Sequence, residues 1–315
     1  MSRLLIASPH RYPDLARLWH RLVMHELVPA FERLNLEVEV NIFCDANAGQ
    51  FLPNLFPGVR FSRSGPGRRD FMEFYDATLD DPCDYLLFLD ADTFLLDGAW
   101  AASYFEAFQD PAVVAVSYVP REDAPAIFAL LCHAASYRAL PEPVFACRYE
   151  FPQIWPDGVN LQPGDYAARE LSRQGKTVMS IGAAESSRHT AQFRGTTGIR
   201  ALREHMTQAV GEGIYLQFAS ENPWLLIAVY DNILLGCLYE ALYGQPFASD
   251  AVGVSLGASM TLDAFRQALS RTQDATQLEF LRGRFRESRS NILRMADLEC
   301  VKLAIPPVFP DETGE

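Results

Sequence analysis

The chain predicts an α/β fold, a mainly parallel sheet flanked by helices, followed by a helical C-terminal subdomain. Three observations carry this. Short apolar runs of strand length alternate with helix-periodic stretches, turn signals fall between them, and after about Arg200 the strand pattern gives way to helix alone. The expected division is therefore residues 1–200 for the α/β domain and 201–315 for the helical subdomain.

Leu4 to Ala7 reads as a buried strand. Pro13 and Asp14 open a helix with apolar residues at Leu15, Leu18, Trp19, Leu22, Leu27 and Phe31, and a kink is expected at Pro29. Leu36, Val38, Val40 and Ile42 alternate with polar residues as a second strand ending at Cys44-Asp45. Val59 to Ser62 is a weaker third strand. The turn Ser64-Gly65-Pro66-Gly67-Arg68-Arg69 then opens a helix over Asp70–Leu79. Tyr85 to Leu89 is apolar throughout and short enough to be a central strand, with Asp90-Ala91-Asp92 at its carboxyl end. A helix around Ala99–Phe108 and a strand at Val113–Val119 continue the alternation. Pro141 to Pro163 is rich in proline and aromatics and reads as a binding loop. A helix over Asp165–Gln174 and a strand over Thr177–Ile181 follow. In the last third, Asn222-Pro223 starts a helix, and Thr276-Gln277-Leu278-Glu279 has capping-box form ahead of a long helix towards Leu303. Pro310 to Glu315 reads as a loose tail.

With 49% hydrophobic and 21% charged residues among 315, the composition is that of a globular protein with a sizeable core. A formal net charge of −13 argues against a general affinity for nucleic acid or anionic membrane, which needs clustered Lys and Arg. An acidic protein that handles an anionic substrate needs a local positive site, and a bound divalent cation supplies one. The six cysteines are scattered without a C-x-x-C pair, and the apolar run at Met1–Ser8 is too short for a signal peptide. Both features predict reduced thiols in a cytoplasmic protein. Pro223 to Tyr243 is the most lipid-like stretch, but Asp231, Asn232 and Glu240 within it favour a buried helix. At most, that segment makes peripheral membrane contact, or the apolar run Trp224–Leu238 supplies a homodimer surface.

An Asp-x-Asp after a strand places two carboxylates at the edge of the sheet where α/β proteins bind ligands. Oxygen pairs of this kind hold Mg²⁺ or Mn²⁺, which can then bridge a diphosphate. In a chain with 40 acidic residues such a triplet also arises by chance as a solvated pair. Here, five apolar residues precede it and Phe94-Leu95-Leu96 follow closely, so the two acids form an isolated polar island. The run Leu86–Thr93 also has the form of the first motif of haloacid dehalogenase phosphatases, in which Asp90 would be the nucleophile. Those enzymes carry the motif on the first strand and place a Lys ahead of a second acidic motif. In this chain three strands come first, and Gly164-Asp165 precedes Lys176.

Taken together, these segments resemble the GT-A glycosyltransferases, and glycosyltransferase family two in particular, over about residues 3–200. The resemblance rests on several places. Ser8-Pro9-His10-Arg11 is similar to the loop after the first strand that touches the nucleotide, and Asp45 to the acid that binds the base. Gly65, Gly67, Arg68 and Arg69 resemble the turn before the metal strand, and Asp90-Ala91-Asp92 the metal motif. Gly164-Asp165 at a helix start, then Gly175, a strand and His189, resembles the family's acidic motif and its following His. Where the family usually has two adjacent acids, this chain has Gly164-Asp165.

The resemblance implies an inverting transfer of a sugar from a nucleotide-sugar donor, UDP- or GDP-linked, to a hydroxyl on a saccharide, lipid-linked or small-molecule acceptor. It implies Asp92 as a direct metal ligand, Asp90 reaching the metal through water or contacting the ribose, and His189 as a further ligand. Asp165 would be the general base, with Asp157 in Trp155-Pro156-Asp157-Gly158 as its rival. Arg68 and Arg69 would face the donor phosphates, and Trp155 a sugar face. Each residue also has a plain structural reading: Asp165 as a helix-start acid, Arg68 and Arg69 as a solvated turn, His189 as an exposed side chain, and Trp155 as local packing. A nucleotidyltransferase, or a binding protein without activity, remains open on the same frame.

Overall fold

A computed structural model describes residues 1–44, 52–63, 71–119, 128–141, 144–145, 164–193, 223–245, 262–270, 274–303, 305 and 308–309. Two compact units are formed, Met1–Arg11 with Trp19–Thr190, and Tyr12–Leu18 with Ala191–Glu315.

The first unit is built on a seven-stranded sheet. Its strands are β1 (Ser2–His10), β2 (Leu36–Cys44), β3 (Val59–Arg63), β4 (Tyr85–Leu89), β6 (Val113–Ser117), β7 (Ala129–His133) and β8 (Thr177–Ser180). A short strand, β5 (Thr93–Leu95), lies outside it. The order is β3-β2-β1-β4-β7-β6-β8, with β3, β2, β1 and β4 parallel to one another, β6 parallel to β8, and β7 antiparallel to both β4 and β6. Helices between parallel strands are the crossovers such a sheet requires. The helices along this stretch of chain are α1 (Pro13–Leu22, whose first residues belong to the second unit), α2 (Val28–Glu32), α3 (Phe71–Thr78), α4 (Gly98–Ser103), α5 (Ala134–Arg138), α6 (Asp165–Arg173) and, after the last strand of the sheet, α7 (Ala183–His189).

Strand β4 is the centre of this arrangement. Its neighbours on either side are β1, with Leu5 opposite Leu86 and Ala7 opposite Phe88, and β7, with Phe88 opposite Leu130. Leu86 to Leu89 are fully buried, as a strand covered on both faces demands. One face packs Leu5, Ala7, Leu86 and Phe88 under Phe74, Tyr75, Tyr137 and Phe145. Successive strand residues point to opposite faces, so Leu4, Ile6, Ser8 and His10 belong to the other. At the amino end of the sheet, Arg60 bridges Asp81 and Glu39, and Arg3 pairs with Glu39.

Several expectations change. Strand β1 continues through His10, so Ser8, Pro9 and His10 are its last rungs, paired with Ile42, Phe43 and Cys44, and not a loop. The helix opened by Pro13 is not one regular α-helix up to Phe31. A π-helical segment, Val23–Leu27, intervenes, in which Val28 N–H donates to Val23 O. Val23 and Leu27 are its buried residues. Pro29 then falls in the first turn of α2, where no N–H is needed. The expected helix Ala99–Phe108 is α4 followed by a 3-10 stretch, Tyr104–Gln109. Strand β7 and helices α5 and α7 were not anticipated.

In the second unit the helix Pro223–Tyr243 packs with the helices Leu262–Ser270 and Ala275–Leu298 through Tyr230, Phe265 and Phe285, ring centroids 4.4–5.9 Å apart. The long last helix is capped by Asp274, which accepts from Thr276 and Gln277 N–H, and not by a Thr276 capping box. The helix Pro223–Tyr243 is long and apolar enough to cross a membrane, yet 67% of its most apolar window is buried within the protein. Leu226, Ile227, Leu234, Leu235 and Leu238 are all buried, which leaves Trp224 as the exposed large apolar side chain on the face expected to serve a dimer.

Candidate functional site

Asp90 follows the last residue of β4 and keeps one more rung of the ladder, its N–H donating to Phe128 O at 2.8 Å. A tight turn follows, closed by Thr93 N–H on Asp90 O at 3.1 Å, so Ala91 and Asp92 occupy its tip. Both carboxylates are half-buried. Asp90 Oδ1 accepts from Ala91 N–H at 2.9 Å. Burial holds the Asp90 carboxyl above the usual carboxylate range, and that one N–H only partly offsets it.

By strand alternation Asp90 lies on the same face as Phe88, and Tyr75 of α3 sits on that face. The Tyr75 ring meets Phe88 edge-on at 4.9 Å and Phe145 at 6.2 Å. Its phenol is pushed well above the ordinary tyrosine range by burial, then by the charges of Asp90 and Asp92. Thr93, next to Asp92, is also buried, and its Oγ1 makes no hydrogen bond. Tyr75 on α3 and Thr93 beside Asp92 are thus two buried hydroxyl-bearing residues on the elements next to the acids. Neither was singled out in the sequence. The signal for Tyr75 was the helical spacing of Phe71, Phe74, Tyr75 and Thr78, which marks a buried face and not a site.

His189 ends α7. Its Nδ1 lies 3.1 Å from Asp97 Oδ2, its ring stacks on Trp100 at 4.5 Å and 14°, and its carbonyl accepts from Leu96 N–H at 2.8 Å. Asp97 Oδ1 meanwhile caps α4 by accepting from Trp100 N–H. Trp100 Nε1 and the Tyr104 hydroxyl both donate to Glu185 Oε1. These bonds tie the end of α7 to the segment that follows Asp92. Among the described residues no group of three or more His, Cys, Asp or Glu is placed to hold a metal ion. The His189 ring is engaged by Asp97 and Trp100.

Ser8 and His10 do not join the pair. They lie on the opposite face of β1, both fully buried, with Ser8 Oγ 3.0 Å from His10 Nε2 and the His10 ring edge-on to Trp19 at 5.2 Å. Burial lowers the His10 pKa to about 3, so the imidazole is neutral. Pro9, between them, is on the Asp90 face. Gly164, with a φ of 85°, is the N-cap of α6, so Asp165 is the first helical residue. The Asp165 side chain lies outside what is described, as do Asp45, Arg68, Arg69, Trp155 and Asp157.

A parallel sheet that changes direction once at β7, with two acids at the carboxyl end of its central strand, is the Rossmann-like architecture implied by the sequence. No family model and no curated protein matches the chain. Among solved structures it is similar to the mannosyltransferase PcManGT from Pyrobaculum calidifontis in complex with GDP-Man and Mn²⁺. That likeness has 12% identity and a TM-score of 0.44, covering 95% of this chain and 86% of that one. It is also similar to a putative nucleotide-diphospho-sugar transferase from Desulfovibrio desulfuricans G20, with 15% identity, a TM-score of 0.36, and coverage of 57% and 80%. A third is CMP:2-keto-3-deoxy-manno-octonic acid synthetase complexed with CTP, with 12% identity, a TM-score of 0.35, and coverage of 57% and 89%. Likeness at these scores assigns neither a reaction nor a ligand.

Proposed function

We propose that this protein is a metal-dependent glycosyltransferase that moves a sugar from a UDP- or GDP-linked donor to a hydroxyl acceptor with inversion. The observation that carries this reading is the pair Asp90 and Asp92 at the carboxyl end of the central strand. Among the described residues no cation is paired with Asp90, although burial already disfavours its charge. Two partly desolvated oxygen ligands suit a hard divalent cation, Mn²⁺ or Mg²⁺, which would relieve that cost.

Asp92 would hold the metal directly, and Asp90 would hold it through water or bind the ribose. The ion would stabilise negative charge on the departing nucleoside diphosphate. Asp165, at the start of α6, would take the acceptor proton, with Asp157 as the other candidate base. Arg68 and Arg69 would face the phosphates, Asp45 the base and Trp155 a sugar. His189 would contribute by anchoring the segment after Asp92, and its Nε2 is the ring atom left to reach a metal. The scattered thiols fit a cytoplasmic setting.

A thermal-shift screen of UDP-, GDP-, CMP- and dTDP-sugars with and without Mn²⁺ tests this, since a ligand that binds only the folded state raises Tm. The expected result is a Mn²⁺-dependent shift with one of them, slow donor hydrolysis, and loss of both in Asp92→Asn. Turnover of p-nitrophenyl phosphate without donor hydrolysis would replace the reading with a phosphatase, and nucleotide transfer from CTP with a nucleotidyltransferase.

A further inference from the structure

Resting on the reading of Asp90 and Asp92 as a cation site, we infer that Asp97 is a positioning residue: through His189 it latches the chain that leaves Asp92, and so fixes where that carboxylate stands. Asp90 is held from behind, because its N–H stays on the β4 ladder through Phe128 O. Asp92 is at the tip of the turn, and β5, which follows it, lies outside the seven-stranded sheet. The far side of the turn therefore takes its support elsewhere. Leu96 N–H donates to His189 O at 2.8 Å, and one residue on, Asp97 Oδ2 stands 3.1 Å from His189 Nδ1. A carboxylate can only accept, so the ring nitrogen is the donor.

The pair is not isolated. Asp97 Oδ1 accepts from Trp100 N–H at 2.8 Å and caps α4, the Trp100 ring stacks on His189 at 4.5 Å, and its Nε1 donates to Glu185 of α7 at 3.1 Å. One acid thus closes the start of α4 on the end of α7. Capping needs only one oxygen of that acid. The second is spent on His189, where the side chains are 42% and 29% exposed, and a bond so open to water adds little to stability. What it adds is direction, since it fixes the chain beyond Asp92 to a second helix.

The test titrates Mn²⁺ alone into the full-length wild type and four variants. Asp97→Ser keeps a capping oxygen but is too short to reach His189, and His189→Ala removes the other half of the latch. His189→Asn puts an amide N–H where Nδ1–H was and keeps the latch. Asp92→Asn reports on the acids themselves. Mn²⁺ affinity, read from the electron-spin signal of the free ion, is expected to fall roughly tenfold or more in D97S and H189A, as loss of a supporting side chain around a metal site does, and to hold at the wild-type value in H189N. The apo Tm of D97S stays at that of the wild type. Wild-type affinity in D97S and H189A, while Asp92→Asn has lost it, overturns the latch and leaves the carboxylate site standing. Affinity lost in H189N as fully as in H189A also overturns it, because the metal would then need the ring nitrogen and not the latch. So does an apo Tm several degrees below the wild type in both D97S and H189A, because the pair would then serve the fold. Unchanged Mn²⁺ binding in Asp92→Asn overturns the reading of the acids, on which the latch rests.

Discussion

Asp90 carries a charge where an apolar strand ends, and the unbound protein bears the cost. Its folded pKa is raised, so the protein gains stability from protonating it at low pH and loses that gain as pH rises through the folded value. At neutral pH, Asp90→Asn removes the charge and keeps the shape. The variant is expected to melt higher than the wild type without metal, and to lose the Mn²⁺-dependent part of any ligand shift, both read by calorimetry. His10 has the opposite sign. Its folded value of about 3 lies below 6.5, so the stability of the neutral ring is complete above pH 6.5 and is lost as pH falls towards 3. His10→Gln, which does not titrate in that window, should give a flatter Tm between pH 6.5 and 4. At this scale the acids were legible in the sequence because an Asp-x-Asp between apolar runs interrupts a pattern. Tyr75 and Thr93 were not, since a hydroxyl inside an apolar period looks like core. Nor was the true place of Ser8 and His10, because polar residues at a strand end look like a loop until their pairing with Ile42 and Cys44 is seen.

Among the elements, the close meeting of α4 with the π-helical segment Val23–Leu27 is the tightest. A Cβ on Gly98 would sit 1.9 Å from the Glu26 carbonyl oxygen and 3.0 Å from Ala30 Cβ. Gly98→Ala must therefore push backbone against backbone, and a loss of about 1–3 kcal/mol, measured by urea denaturation, is expected. The same helix is capped by Asp97, which also holds His189, so strain there reaches the segment that follows the acids. Strands β1, β2, β3, β4, β6 and β8 were all legible, because each is an apolar or alternating run bounded by turn residues. Strand β7 was not. It reverses direction, and its sequence Ala129-Leu130-Leu131-Cys132-His133 carries no mark that separates a reversed strand from a short buried helix. The π-segment was not legible, because Leu22, Val23, Leu27 and Val28 keep ordinary helical spacing across it.

For the whole molecule, the sequence pattern placed one α/β unit before a helical part, and the protein forms two units, with Tyr12–Leu18 belonging to the second. That exchange is beyond local periodicity, since Leu15 and Leu18 share one continuous helical stripe with Trp19. The net charge of −13 has a consequence here too: a cation at the acids interacts with a protein that attracts it from all sides, so metal binding should weaken as salt is raised. The central position of β4 sets how firmly the acids are held. The Asp90 amide is bonded to Phe128 and is flanked by a strand paired on both edges. Amides so placed exchange their hydrogen for deuterium only when the domain opens as a whole. In a native-state exchange experiment, Asp90 should be among the last amides to pick up the isotope. Residue by residue, then, the slowest clock in this protein ticks at the place where its chemistry is proposed to occur.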